Sequence, residues 1–206
     1  GNILIGSDLT KEEFIKTFKA RKIFYHQNKK NNEEKVSIDV DSILSNEELK
    51  NFVLFDKLTY FSIHTPKNIT NKGLVYLCEI KTFKTVKLSG GNISDETLQI
   101  LEKSSELKAF SISGNQINGS GLKYIADKKN IYLLDLGTCS ITDEGIKNIS
   151  GLINLEYLAL YRTKVTDEGI KHLVNLKKLK KLELDETNIT DKSVPYIIEM
   201  MGNKQD

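Results

Sequence analysis

Apolar positions in this chain obey two different spacings, and the pair of spacings recurs along most of its length. Leu155-Glu-Tyr-Leu158-Ala-Leu160-Tyr-Arg-Thr163-Lys-Val165-Thr-Asp167-Glu-Gly169-Ile170 is followed, in frame, by Leu179-Lys-Lys-Leu182-Glu-Leu184-Asp-Glu-Thr187-Asn-Ile189-Thr-Asp191-Lys-Ser193-Val194. Earlier copies of the frame begin at Ile131, Leu107, Phe83 and Leu58. The step is 24 residues, except for 25 between Leu58 and Phe83, where the extra residue falls in His64-Thr65-Pro66-Lys67-Asn68. The first half of each copy alternates, as in Phe61 and Ile63, Val86 and Leu88, or Phe110 and Ile112. A period of two with one buried face predicts a short strand. The second half changes to helical spacing, as in Ile146, Ile149, Leu152 and Ile170, Leu173, Leu176, and predicts a short helix. Ser94-Asp95, Thr142-Asp143, Thr166-Asp167 and Thr190-Asp191 stand where those helices begin. Their side chains suit the free N–H groups and the positive dipole end of a first turn.

One strand–turn–helix unit cannot bury its own apolar face, whereas stacked units can, at roughly 1.5–3 kcal/mol for each well-buried Leu or Ile. The predicted fold is therefore α/β: a right-handed solenoid with a parallel inner sheet and short outer helices. Residues 58–201 form six repeats and 35–57 a degenerate first one. Val36, Ile38 and Val40 supply its strand, and Leu49, Phe52 and Val53 its helix. Residues 1–34 are read as a cap helix and a linker. Thr10 to Glu13 has the form of a capping box, with Phe14, Ile15 and Phe18 at helical spacing behind it, and Asn28 to Glu34 is polar and aperiodic. Val194, Ile197, Ile198 and Met201 are expected to close the far end, with 202–206 as a tail. All of this makes one domain.

The frame L-x-x-L-x-L-x-x-T-x-I-T-D-x-G-I resembles the leucine-rich-repeat family, in particular the ribonuclease-inhibitor-like variants with helical outer faces. The resemblance implies binding rather than catalysis. It also implies an Asn, Cys or Thr at one turn position whose side chain bonds to backbone inside the coil. Asn115, Cys139, Thr163 and Thr187 occupy that position, while Gly91 departs from it.

Composition narrows the function further. A chain of 206 residues with 39% apolar and 28% charged residues suits a globular domain, and a net charge of +2 gives no electrostatic case for nucleic acid. No apolar run approaches the roughly 18 residues of a membrane span. The first residues, Gly1 to Gly6, do not read as a signal peptide. The absence of an initiator Met leaves open that a targeting segment was removed, so the compartment stays open. Two cysteines, Cys78 and Cys139, are too few for a disulfide framework.

Candidate chemistry is thin. His26, His64 and His172 show no ligand spacing with one another or with the cysteines, so neither a metal nor a cofactor is expected. Asp95-Glu96, Asp143-Glu144 and Asp167-Glu168 recur at helix starts and read as caps rather than acid/base pairs. The glycine-containing stretch Gly114 to Ser120 lacks the lysine of a phosphate loop. Lys177, Lys178, Lys180 and Lys181 are followed at once by Glu183, Asp185 and Glu186, which makes a mixed surface. Sequons at Asn68, Asn92 and Asn188 arise from the repeat itself. No catalytic constellation is left.

Alternation also names the residues of the inner face. Tyr60, Ser62 and His64 come first, then Thr85, Lys87 and Ser89, Ala109, Ser111 and Ser113, Leu133, Asp135 and Gly137, Tyr157, Ala159 and Tyr161, and lastly Lys181, Glu183 and Asp185. Leu133, Tyr157, Tyr161 and the adjoining Arg162 are the hot-spot material, with Tyr60, His64 and Asp135 as further contacts. Six or seven strands span roughly 30 Å, giving a projected face of about 300–400 Å², against about 800 Å² per partner in a stable protein interface. The partner is expected to be a protein or peptide that also uses the loops, or an extended peptide on the face alone. A glycan, bound by the recognition part of a cell-surface or secreted protein, is the alternative.

Overall fold

A fixed step between alternating strands forces them side by side in chain order, and the computed structural model shows that arrangement over residues 9–39, 42–64, 69–90, 93–114 and 116–202. One sheet holds β1 (Ile23–Gln27), β2 (Glu34–Ile38), β3 (Leu58–His64), β4 (Thr85–Ser89), β5 (Ala109–Ser113), β6 (Leu133–Asp135), β7 (Tyr157–Ala159) and β8 (Lys181–Glu183), in that order. From β2 onward every pairing is parallel. Phe61, Val86, Phe110, Leu134 and Leu158 fall in one register column beneath the sheet, and each is fully buried. This is the α/β solenoid anticipated from the repeat.

The outer elements are short. They comprise a 3-10 helix Glu47–Leu54, α2 (Asn71–Leu74) running into 3-10 Val75–Glu79, 3-10 helices Asp95–Leu101 and Ser120–Ile125, then α3 (Asp143–Lys147) and α4 (Asp167–Lys171); α1 (Lys11–Lys16) lies in the cap before β1. Their buried positions recur every three residues: Leu74, Leu77, Ile80; Ile146, Ile149, Leu152; Ile170, Leu173, Leu176. Three residues per turn is the 3-10 period, so this triplet spacing accounts for the tighter winding. Where the triplet meets a polar residue, the side chain reaches the preceding repeat. Ser104 Oγ donates to Ile80 O at 3.3 Å, and Lys128 Nζ to Glu102 O at 2.7 Å.

A second column joins repeat to repeat. Asn46 Oδ1 accepts Thr70 N at 3.0 Å, Asn71 Oδ1 accepts Ser94 N at 3.0 Å, Asp143 Oδ1 accepts Thr166 N at 2.8 Å, and Asp167 Oδ1 accepts Thr190 N at 2.9 Å. Asp95 takes three backbone donors, Asn118 N, Gly119 N and Gly121 N, at 2.8–2.9 Å. The helix-start aspartates therefore bind the following repeat. Capping is left to the threonines: Thr142, Thr166 and Thr190 each accept a first-turn N–H, whereas Ser94 makes no such bond. The column also explains the glycine of Asp-Glu-Gly-Ile. A Cβ at Gly145 would collide with the Asn118 carbonyl and Gly119 Cα of the preceding repeat.

The first end is closed differently from the expectation. The capping box at Thr10 forms and starts α1. The stretch read as a linker is instead the turn of a hairpin: β1 runs antiparallel to β2, and Asn28 N donates to Glu33 O at 2.8 Å. Phe14, Phe18, Tyr25, Phe52 and Phe55 pack ring against ring behind it, at centroid distances of 4.9–6.4 Å. Arg21 and Glu48 form a buried ion pair there, and buried Glu34 accepts from Tyr25 Oη at 2.9 Å. Leu49 and Phe52 are buried as expected, but Val53 is exposed; Val40 lies outside the described residues.

At the other end a 3-10 turn Asp191–Ser193 leads into α5 (Val194–Met201), which buries Met200 fully and Ile197 and Met201 in part. Val194 and Ile198, expected to close the stack, are exposed. Ile198 turns outward because the buried residues follow the 197–200–201 face of the helix. Leu182, Leu184 and Ile189 are only partly covered, unlike their equivalents in the inner repeats.

Three outcomes test this construction. Asp95→Ala removes the acceptor of three N–H groups and should cost about 1.5–3 kcal/mol in urea unfolding. Gly145→Ala forces backbone apart between two repeats and should cost about 1–3 kcal/mol. Hydrogen bonds from Ser193 and Thr190 hold the Asp167 carboxyl below its ordinary value of 3.8. The stability it contributes is full above that value and is lost as pH falls through the lowered pKa. Asp167→Asn should accordingly flatten the acid limb of a Tm-versus-pH curve.

Candidate binding face

The register sets the inner face out as a grid. Tyr60, Thr85, Ala109, Leu133, Tyr157 and Lys181 form one row across the strands. Ser62, Lys87, Ser111, Asp135, Ala159 and Glu183 form the next. The hairpin extends the grid by Lys35 and Ser37 on β2 and by His26 and Phe24 on β1, the last of them largely exposed. Pattern reading missed that edge, because Ile23 to Gln27 carries no alternation of its own.

The β6–β8 end concentrates the aromatic and charged groups. Leu133, Asp135, Tyr157 and Tyr161 are each half-buried. The Tyr161 ring lies against Gly137, where any Cβ would collide with it. Glycine therefore seats the tyrosine. Asp135 accepts Ser111 Oγ at 3.2 Å and Gly137 N at 3.1 Å. Lys181 Nζ stands 2.6 Å from Glu183 Oε1 and 5.2 Å from the centroid of the Tyr157 ring, and the Tyr157 phenol and the Glu183 carboxyl shift each other's titration. Lys181 and Tyr157 hold the Glu183 carboxyl below the usual carboxylate range. Burial, followed by the bond to Glu183, pushes the Tyr157 phenol up to about 12. The negative charge of Asp135 raises Tyr161, and burial adds to it.

The other expected contacts fall apart from this cluster. Tyr60 is half-buried on β3, and His64 is exposed at its end, with Nδ1 2.6 Å from Ser89 Oγ. No carboxylate bonds to the other ring nitrogen among the described residues, so the pair lacks the third member of a nucleophile relay. Arg162 is exposed in a left-handed turn (φ 55°) and forked onto Glu186, Nε–Oε2 at 3.0 Å and Nη2–Oε1 at 2.8 Å. It borders the cluster as part of an ion pair. The insertion at residues 65–68, Gly91 and Asn115 lie outside the described residues.

The remaining motifs resolve into structure. The backbone N–H groups around Gly119 already surround an anion, the Asp95 carboxylate, so the glycine stretch offers no phosphate site. Cys139 is buried with Sγ 3.5 Å from Ile112 O, and Thr163 and Thr187 donate to Leu160 O and Leu184 O, as the turn position implied. Neither cysteine is in a disulfide. Lys177, Lys178, Lys180 and Lys181 each reach an acceptor: Glu199, Asn154, Glu156 and Glu183. No helix among the described residues is long and apolar enough to cross a membrane.

The tyrosine environments have a spectroscopic consequence. Tyr157 and Tyr25, both pushed up to about 12, should ionise last in an ultraviolet pH titration. Glu183→Gln should bring Tyr157 forward and leave Tyr25 in place. A phenol raised above its unfolded value near 10 holds its proton more tightly in the fold. The associated stability is present below that value and is lost as pH rises through about 12.

Comparison with known proteins agrees with the geometry. A leucine-rich-repeat family model matches residues 103–126 and 131–150. No curated protein sequence matches significantly. Among solved structures, an internalin (inlF) from Listeria monocytogenes is similar with a TM-score of 0.60 at 22% identity, over 77% of this chain and 42% of its own. Listeria monocytogenes InlP is similar with a TM-score of 0.55 at 18% identity, over 75% of this chain and 44% of its own. The chain thus spans less than half the length of either. In-register 24-residue units, a parallel inner sheet and buried turn side chains give the chain a leucine-rich-repeat fold, and the family model matches within two of its repeats.

Proposed function

We propose that this chain is a non-catalytic interaction module that binds an extended segment of a protein partner across the inner face of the sheet. The observation that carries the reading is the cluster of half-buried Leu133 and Tyr157, paired across β6 and β7, and Tyr161 in the turn that follows β7. Large rings held by a rigid sheet lose little entropy on binding and are the usual anchors of interfaces. Area points to an extended partner. Eight strands at about 4.8 Å span roughly 34 Å, and with about 10–13 Å of strand length the face falls well short of a standard globular interface. A peptide laid across the strands matches those dimensions. The groups that could suggest catalysis have structural work: the aspartates join repeats, and buried Cys139 reaches the Ile112 carbonyl of the preceding strand.

Selection of a random displayed-peptide library on the parent chain and on Tyr157→Ala/Tyr161→Ala tests the reading. Peptides enriched on the parent should bind the double variant at least about ten-fold more weakly, with circular dichroism unchanged. Equal enrichment on both chains would remove the inner face from consideration. A glycan array probed with the same pair separates the two partner classes.

A further inference from the structure

Strand β1 is paired on one side only. Its bonds to β2 run through its even-numbered residues: Asn28 N donates to Glu33 O at 2.8 Å, Asp39 N donates to Lys22 O at 3.4 Å, and Phe24 and His26 fall between them, in register with Ser37 and Lys35. Bonded and non-bonded pairs alternate along an antiparallel ladder, so the N–H and C=O groups of Ile23, Tyr25 and Gln27 point away from β2. Ile23 N bears out that direction by donating to Phe18 O at 3.0 Å. The outward N–H and C=O groups of Tyr25 and Gln27 meet no protein partner among the described residues, and no strand follows β1 on that side.

A cavity of about 590 Å³ lies along this edge, with Ile15, Phe18, Phe24 and Tyr25 among its walls. Phe24 is 66% exposed on the inner side of the sheet, whereas Tyr25 turns toward the core side and is fixed there by its bond to Glu34. The edge is also bracketed by positive charge. Lys19 lines the cavity near Ile23, and Lys29 and Lys30 stand in the turn beyond Gln27. All three are exposed, and none is in an ion pair among the described residues. The acids of the hairpin are engaged elsewhere, Glu33 with Lys84 and Glu34 with Lys11, which leaves Asp39 as the carboxylate in the cavity wall.

Independently of the β6–β8 face, we propose that the edge of β1 takes up an extended, acidic segment of a protein partner as an added strand. Main-chain bonds to Tyr25 and Gln27 supply the attachment, as in strand addition generally. Alternate side chains of the segment fall on Phe24 to one side and on Ile15, Phe18 and Tyr25 to the other. The 5 residues of β1 extend about 17 Å, so carboxylates near the two ends of such a segment come within reach of Lys19 and of Lys29 and Lys30. The same lysines disfavour a second copy as the occupant. Pairing two β1 edges in either direction sets lysine against lysine, and like charges at an edge oppose that association.

The test titrates the full chain with two short blocked peptides and follows the backbone amides by NMR. Both peptides alternate valine and threonine; one carries aspartate at each end, the other lysine. The aspartate peptide should shift the Tyr25 and Gln27 amides saturably and slow their hydrogen exchange, and the lysine peptide should bind at least about five-fold more weakly. Lys29→Glu/Lys30→Glu, placed in an exposed turn, should abolish that preference. Gln27→Pro removes an outward N–H and spares the ladder to β2, and should weaken the aspartate peptide by a similar factor. No shift at β1, equal binding of the two peptides, an unchanged preference in the charge-reversed variant, or undiminished binding to Gln27→Pro would each overturn the proposal. Shifts confined to Tyr157 and Tyr161 would overturn it in favour of the inner face alone. Slow exchange at Tyr25 in the chain without peptide would overturn it as well, because the edge would already be covered, by a second copy where the protection rises with concentration.

Discussion

The structure depends on one recurring bond: a side chain of one repeat satisfying the backbone of the next. A stack of short strands and one-turn helices leaves many N–H groups with no partner inside their own element. The column of Asn46, Asn71, Asp95, Asp143 and Asp167 meets those donors across the repeat boundary. That demand sets other choices. It keeps the neighbouring outer positions small, as at Gly121, Gly145 and Gly169, or makes them donors, as at Thr97 and Ser193, whose hydroxyls bond to Asn71 and Asp167. At Gly119 the side chain is missing, and the Asn118 carbonyl accepts Thr142 N at 3.1 Å in its place. Apolar burial supplies most of the stabilisation, but the column sets how one layer sits on the next.

Much of this was legible from pattern alone, because alternation and a constant step leave little freedom in a parallel sheet. Phe61, Val86, Phe110, Leu134 and Leu158 could be assigned to the core, and the residues between them to the inner face. What escaped is set by contacts far apart in the chain. The Arg21–Glu48 pair joins residues 27 apart, a separation over which local pattern carries no signal. Asp95 was assigned to its own helix, though its donors lie 23 to 26 residues on. Strand β1 carries Phe24, Tyr25 and His26 without alternation, and only its antiparallel partner reveals it.

The candidate face was legible to the same degree. Register predicted that Leu133, Asp135, Tyr157 and Tyr161 share one face, and the structure places the first three on the paired strands β6 and β7 and Tyr161 in the turn after β7. Register did not show that Gly137 exists to receive the Tyr161 ring, that Arg162 is engaged with Glu186, or that Lys181 lies against Tyr157. Those facts turn a set of half-buried residues into a network in which most members already hold a partner.

The turns that follow β4 to β8 take the left-handed conformation at Gly90, Gly114, Thr138, Arg162 and Glu186, one residue per repeat. Glycine adopts that geometry without penalty, whereas the last three residues do so at a cost of about 1–2 kcal/mol each. The rim of the face is consequently uneven. Beside β4 and β5 it is low, formed by residues without side chains, and beside β6 to β8 it rises into a parapet of Thr138 and the Arg162–Glu186 pair. Under the proposed reading, a segment laid on the face would border the Arg162–Glu186 pair beside the tyrosines and bare backbone at Gly90 and Gly114.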